Sequence, residues 1–139
     1  MILEWALALV CYAGAGCDEP TVTLSPAAAS VAACESGDTV RRGTLDWDAV
    51  NVNADGTRDY GAFQFNDHWV WSDADRWFMN QLAARLQMSP DTLLSAWPTA
   101  ADAPPAVQVI AFEMLWNDGQ GSFHWSASQK CWESLMKGQ

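Results

Sequence analysis

Two carboxylates in unlike company are the side chains through which this chain could do chemistry. Glu35 stands in Cys34-Glu35-Ser36-Gly37, and Asp59 stands in Asn53-Ala54-Asp55-Gly56-Thr57-Arg58-Asp59-Tyr60-Gly61-Ala62-Phe63-Gln64-Phe65-Asn66-Asp67-His68-Trp69. Around Asp59, Gln64 and Asn66 bring amide donors and acceptors, and Tyr60, Phe63 and Phe65 bring apolar mass. A carboxylate beside amides and aromatic rings suits the hydroxyls and apolar faces of a sugar. Two carboxyl groups across a glycosidic bond can divide its cleavage, one protonating the leaving oxygen and the other stabilising positive charge at the sugar carbon. The proton donor must hold its proton near neutral pH, which calls for a raised pKa.

The elements that would position the pair are legible on either side of it. Ser25-Pro26 opens a helix, with Ser as cap and Pro at the first helical position, and Gly37 ends it. Glu35 then lies in the last turn, where the negative end of the helix dipole disfavours an ionised carboxylate. Residues 50–65 read as a small sheet that turns at Asp55-Gly56, with Asp59 on the returning arm. Ser72 or Asp73 is a candidate cap for a helix on which Trp77, Phe78, Leu82 and Leu86 recur at helical spacing. Ser89-Pro90 starts a short helix through Trp97, stopped by Pro98. Pro104-Pro105 leads a helix with Val107, Ile110, Ala111, Met114 and Leu115 on one face, read as the central buried helix, ending at Asn117-Asp118-Gly119. Ser126-x-x-Gln129 reads as a capping box for a last helix through Met136. The sum is an α+β fold, mostly helical, with a small hairpin at the candidate site.

Length and composition narrow the field. With 139 residues, half of them hydrophobic, the chain suits one domain with a real core. A net charge of −10 argues against a nucleic-acid partner, whose phosphates demand a basic patch. Residues 1–24 form an apolar N-terminal segment and linker, and residues 25–139 the folded domain. The apolar run is too short to span a bilayer comfortably. Ala13-Gly14-Ala15 resembles a signal-peptide cleavage site, but no Lys or Arg precedes the run and Glu4 sits there instead, so a retained packed helix is the alternative. If the segment is retained, Cys11 and Cys17 could pair. Cysteines at 11, 17, 34 and 131 with His68 and His124 give no zinc-site spacing. Asn51-x-Asn53-x-Asp55-Gly56 has a calcium-loop outline, but Asn51 and Ala62 occupy the places where such a loop needs Asp and a bidentate Glu. No metal or other cofactor is expected. Trp77, Trp97 and Trp132 fall on apolar helical faces and are expected in the core, Trp116 in the core or a cleft wall, and the two histidines at the surface or cleft edge.

The spacing of these motifs resembles the lysozyme superfamily. Asn51-x-Asn53-x-Asp55-Gly56-Thr57-x-Asp59-Tyr60-Gly61-x-x-Gln64-Phe65-Asn66-x-x-Trp69 is similar to the β-hairpin motif of c-type lysozymes. Cys34-Glu35-Ser36, and the tail Asp118-Gly119-Gln120-Gly121 with Trp125 and Cys131, resemble actinobacterial transglycosylase-like domains, including resuscitation-promoting factors. The tail also matches the c-type stretch that ends in the Trp over the catalytic Glu. The resemblance implies a lysozyme-like fold and a muramidase cleaving the β-1,4 bond between N-acetylmuramic acid and N-acetylglucosamine. Glu35 would be the general acid, and Asp59 the nucleophile or electrostatic stabiliser. Asn53 and Asn66 would hydrogen-bond Asp59, keeping it ionised and oriented. Trp125 would desolvate Glu35, the division of labour for which lysozyme itself is the type case. Gln64, Trp69 and Asp118 would line the saccharide cleft, and Cys34 would bridge to Cys131. The implied partner is the peptidoglycan glycan strand, met by a monomer that is secreted, held in the cell envelope, or carried by a phage.

The chain departs from the c-type pattern in having Trp69-Val70 where those enzymes have two adjacent Trp, a longer insert before the hairpin, and no four-disulfide framework. Two alternatives therefore stay open. A lytic transglycosylase would give 1,6-anhydro products without strictly needing Asp59, and a binding or virion module would hold peptidoglycan or chitooligosaccharide without turnover.

Overall fold

The computed structural model describes residues 22–37 and 45–138. The N-terminal apolar segment, with Cys11 and Cys17, and residues 38–44 of the polar insert lie outside the described residues. Within them the chain is α+β: five α-helices and a three-stranded antiparallel sheet.

Helix α1 (Pro26–Glu35) starts where the Ser25 hydroxyl accepts the Ala28 amide at 3.1 Å, with Pro26 needing no intrahelical partner for its nitrogen. It ends where the amides of Ser36 and Gly37 both donate to the Ala32 carbonyl, at 2.9 and 3.0 Å. Ala28, Val31, Ala32 and Ala33 are buried, and their small side chains let α1 approach its neighbours closely. Strands β1 (Val50–Val52), β2 (Arg58–Tyr60) and β3 (Phe65–Asn66) pair in that order. Asp59 lies opposite Asn51 on one side and Asn66 on the other. The first turn needs a glycine, because Gly56 has φ 89°, and the Thr57 amide donates to Asp55 Oδ1 at 2.9 Å to close it.

Helix α4 (Pro105–Trp116) carries the core. Phe112 stacks on Phe63 from the β2–β3 turn at 4.6 Å and packs against Trp125 at 4.9 Å. The expected apolar face is only partly right. Val107, Ala111 and Leu115 are buried, but Ile110 and Met114 are half-exposed, and Gln108, Phe112 and Trp116 are buried in their place. Gln108 is an amide in the core with its hydrogen bonds satisfied. It accepts the Ala62 amide at 2.9 Å and donates to the carbonyls of Trp47 and Ala103, each at 3.0 Å. That bonding locks the β2–β3 turn to α4, and Gly61 makes room for it: a Cβ there would lie 2.5 Å from Gln108 Oε1.

Two helix starts differ from expectation. Helix α2 (Trp77–Arg85) begins after Arg76, not at Ser72 or Asp73. Arg76 takes a left-handed φ of 61° with its guanidinium paired to Asp73 and Asp91, while the Ser72 hydroxyl accepts the Ala74 amide in a turn. Helix α3 (Pro90–Ala96) is capped as read, the Ser89 hydroxyl accepting the Thr92 amide at 3.1 Å. Helix α5 (Gln129–Lys137) starts later than read, because residues Ser122–Ser128 wind as a 3-10 helix. The Ser126–Gln129 capping box does not form; Gln129 bonds Glu133 instead. Among the tryptophans, Trp132 and Trp116 are buried, Trp97 is half-buried, and Trp77 is exposed rather than core.

The bridge between Cys34 and Cys131 is present, with Cα atoms 6.0 Å apart. It ties the last turn of α1 to α5. Among the described residues, no helix is long and apolar enough to cross a membrane.

Candidate active site

The end of α1, the sheet and the segment before α5 enclose a cleft of about 420 Å³. Glu35, Asp59, Asn53, Gln64, Asn66, Trp69 and Trp125 all line it. Asp118 does not. It is exposed, in a left-handed run after α4 in which Asn117, Asp118 and Gly119 have φ of 50°, 55° and 92°. That run is where the expectation for Asp118 fails, since motif spacing does not reveal which way a reversed backbone carries its side chain.

Asp59 is held by a short-range network. Asn66 Nδ2 donates to Asp59 Oδ1 at 2.9 Å and to Thr57 Oγ1 at 3.0 Å. The orientation of that amide is determined from its other end. Asn66 Oδ1 accepts the backbone amides of His68 and Trp69 at 2.9 and 3.0 Å, so the NH₂ group must face Asp59. Asn53 does not bond Asp59 as expected. Its amide donates to Thr57 Oγ1 at 3.1 Å, and that hydroxyl donates in turn to Asp55 Oδ1 at 2.6 Å. Thr57 is thus the hub joining both asparagines to the turn. The Thr57 hydroxyl, and then its amide, hold the exposed Asp55 carboxyl below the usual range.

Glu35 is held by residues distant in sequence. It is partly buried, and burial is the main cause that lifts its pKa above the ordinary carboxylate value. The negative charge of Asp59 adds to the rise, and the hydrogen bond from Ser128 opposes it. Of the two expected causes, desolvation and the helix-end dipole, desolvation leads. Ser128 Oγ donates to Glu35 Oε1 at 2.7 Å. Trp125 is buried beside it with its indole N–H on the Phe63 carbonyl at 2.8 Å, which fixes the ring as part of the cleft wall. Gly121 lets the chain turn back to place it: a Cβ there would meet the Leu115 carbonyl oxygen at 1.7 Å.

The rim of the cleft is aromatic. Trp69 is 63% exposed, and its carbonyl accepts the Trp77 indole N–H at 3.1 Å. Trp77 in turn stacks over His124, whose ring also lines the cleft and whose pKa burial lowers. Sequence reasoning missed Ser128, Thr57 and the Trp77–His124 pair. Ser128 carried no signal of its own, since the sequence places the helix cap at Ser126. Among the described residues, no group of three or more His, Cys, Asp or Glu is placed to hold a metal ion.

This arrangement can supply a proton from a desolvated carboxyl group and face it with an oriented second carboxylate in one cleft. No protein-family model matches the chain, and no curated protein is similar to it at a significant level.

Proposed function

We propose that the chain is a lysozyme-like, peptidoglycan-degrading glycosidase that cleaves the β-1,4 bond between N-acetylmuramic acid and N-acetylglucosamine. The observation that carries this reading is the unlike support of two carboxyl groups in one cleft. Glu35 is pushed by burial toward its protonated form, and Asp59 accepts an oriented amide N–H from Asn66. The resemblance of the hairpin and tail motifs to lysozymes supplies the substrate class. In the proposed reaction Glu35 gives its proton to the leaving glycosidic oxygen as the C1–O bond breaks. Asp59 then stabilises or covalently captures the sugar carbon. Glu35, now ionised, takes a proton from the water that attacks that carbon, which returns the enzyme to its starting state. The Cys34–Cys131 bridge is compatible with an oxidising compartment, in keeping with action at a cell wall outside the cytoplasm.

The test is mass spectrometry of muropeptides released from purified peptidoglycan. Reducing N-acetylmuramic acid ends are expected. Products lighter by one water, as 1,6-anhydro ends, would assign a lytic transglycosylase in which the sugar's own 6-hydroxyl does the attacking. Chitooligosaccharide binding with no soluble product would replace the enzyme reading with a binding module.

A further inference from the structure

Ser128 is the residue at the N-cap of α5, yet its side chain caps nothing there. A serine in that position ordinarily accepts an amide N–H of the first turn. Here the hydroxyl lies 2.7 Å from Glu35 Oε1 and 3.3 Å from the Trp125 carbonyl oxygen. A hydroxyl has one proton, so it cannot donate to both at once.

We infer that Ser128 is the positioning residue of Glu35, its hydroxyl turning between the carboxyl group and the Trp125 carbonyl so that Glu35 keeps one place whether or not it carries a proton. With Glu35 ionised, Ser128 donates to Oε1. With Glu35 protonated, the carboxyl O–H donates to Ser128 Oγ, and the serine proton turns to the Trp125 carbonyl. That carbonyl is a steady acceptor, because it also takes the buried Trp132 indole N–H at 2.9 Å. The cysteine bridge holds the two halves together, since Cys34 adjoins Glu35 and Cys131 lies one turn along α5 from Ser128.

The consequence for turnover rests on the reading of Glu35 as acid and base; the hydrogen bond itself does not. A general acid that must give up and regain a proton gains from a partner that serves both forms, because neither transfer then requires the carboxyl to move. The titratable groups facing the same cleft are Asp59, Asp55 and His124. Helix α5 also carries Lys130, Glu133 and Lys137, and α4 carries Glu113, which accepts the Ser25 hydroxyl at 2.6 Å. Of these, Asp59 is the one whose charge acts on Glu35.

The experiment follows the Glu35 carboxyl carbon by NMR through a pH titration of the full chain, bridge intact, in wild type and in Ser128→Ala, Ser128→Thr and Ser128→Val. Ser128 bonds both forms, but its bond to the charged carboxylate is the stronger of the two. Its loss therefore moves the Glu35 midpoint upward in the Ala and Val variants, and Thr, which keeps the hydroxyl, returns it toward wild type. The basic limb of the activity profile should move in the same direction, with kcat down about tenfold and KM little changed. The near-isosteric Thr and Val pair decides the matter even if the Ala variant fails to fold. A midpoint that is the same in Thr and Val overturns the inference. Turnover that survives Glu35→Gln overturns the proposed function instead, and leaves the titration result for Ser128 standing.

Discussion

The two carboxylates of the cleft are held in opposite ways. The hydrogen bonds that orient Asp59 come from the small sheet and its first turn: Asn66 is seven residues away, and the Thr57 hub is two residues away. What surrounds Glu35 comes from the far end of the chain, with Ser128 at a separation of 93 residues and the bridge from its neighbour Cys34 spanning 97. Asp59 is therefore positioned as soon as a local turn closes. Glu35 is positioned only once α1 and the C-terminal segment have packed. A carboxylate that needs orientation can be supplied locally by amides. One that needs desolvation requires bulk from several elements, which no single hairpin provides.

The largest test of this contrast is removal of each carboxylate in turn. Glu35→Gln, which keeps shape and can still accept from Ser128, should lower peptidoglycan cleavage about 10³-fold, the loss of a general acid. Asp59→Asn should cost about 10²-fold in a hydrolase, the size of one missing stabiliser of transition-state charge. Both are read as kcat/KM on soluble glycan fragments. Equal, small losses would mean that the pair does not divide the chemistry as proposed.

Breaking the bridge should separate the two sites physically. A loop closed over 97 residues is worth about 4.7 kcal/mol by the loop-entropy argument. In Cys34→Ser/Cys131→Ser the melting temperature should fall accordingly. Hydrogen exchange should speed up in α1 and α5 while the Asn53–Asn66 turn network keeps its protection. Uniform loosening of both regions would remove the distinction between local and distant support.

The two asparagines sharpen the comparison within the hairpin. Asn66→Ala removes the donor to Asp59 and leaves the His68 and Trp69 amides without their acceptor. It should cost about 1–3 kcal/mol in stability and about tenfold in activity. Asn53→Ala, whose amide reaches only Thr57, should change activity less than threefold, roughly within the ordinary spread for a residue that does not touch the reacting group. Urea melts and initial rates on the same preparations would show it, and a larger loss for Asn53→Ala would mean that it acts on Asp59 or on the substrate directly.

What could be read in the sequence follows the same division. The Asp55-Gly56 turn, the Ser25-Pro26 and Ser89-Pro90 helix starts and the α+β outline were legible, because each depends on contacts within about four residues. The start of α2 was not, since Arg76 is held left-handed by ion pairs that reach Asp91. Trp77 sat at core spacing, yet its indole N–H answers the Trp69 carbonyl and its ring meets His124, and periodicity carries no signal of either. At the site, the hairpin residues Gln64 and Asn66 could be placed from their own motif. Ser128 could not, because the sequence places the cap at Ser126 and Ser128 within the first turn, and only the packed structure shows its hydroxyl on Glu35. Asn53 was assigned one bond too far: its amide stops at Thr57.

The smallest expected effect is a pH dependence of stability, and its sign separates desolvation from hydrogen bonding at Glu35. Burial and the Asp59 charge raise the folded-state pKa above the ordinary 4.5, against the pull of Ser128. Below that ordinary value Glu35 is protonated in both folded and unfolded chains and contributes nothing pH-dependent. As pH rises through the window between the unfolded and the raised folded values, the folded state binds more protons than the unfolded one, so stability falls. Above the folded value the full cost of an ionised, desolvated carboxylate is in place. Glu35→Gln removes that cost. Its melting temperature should match wild type near pH 3.5 and exceed it by a few degrees at neutral pH, since about 1 kcal/mol moves a domain of this size by roughly 4 °C. If the Ser128 bond outweighed burial, the order would invert and the variant would be the less stable one at neutral pH. Scans of both proteins across pH 3.5 to 8 therefore report which influence dominates at Glu35, without any reference to turnover.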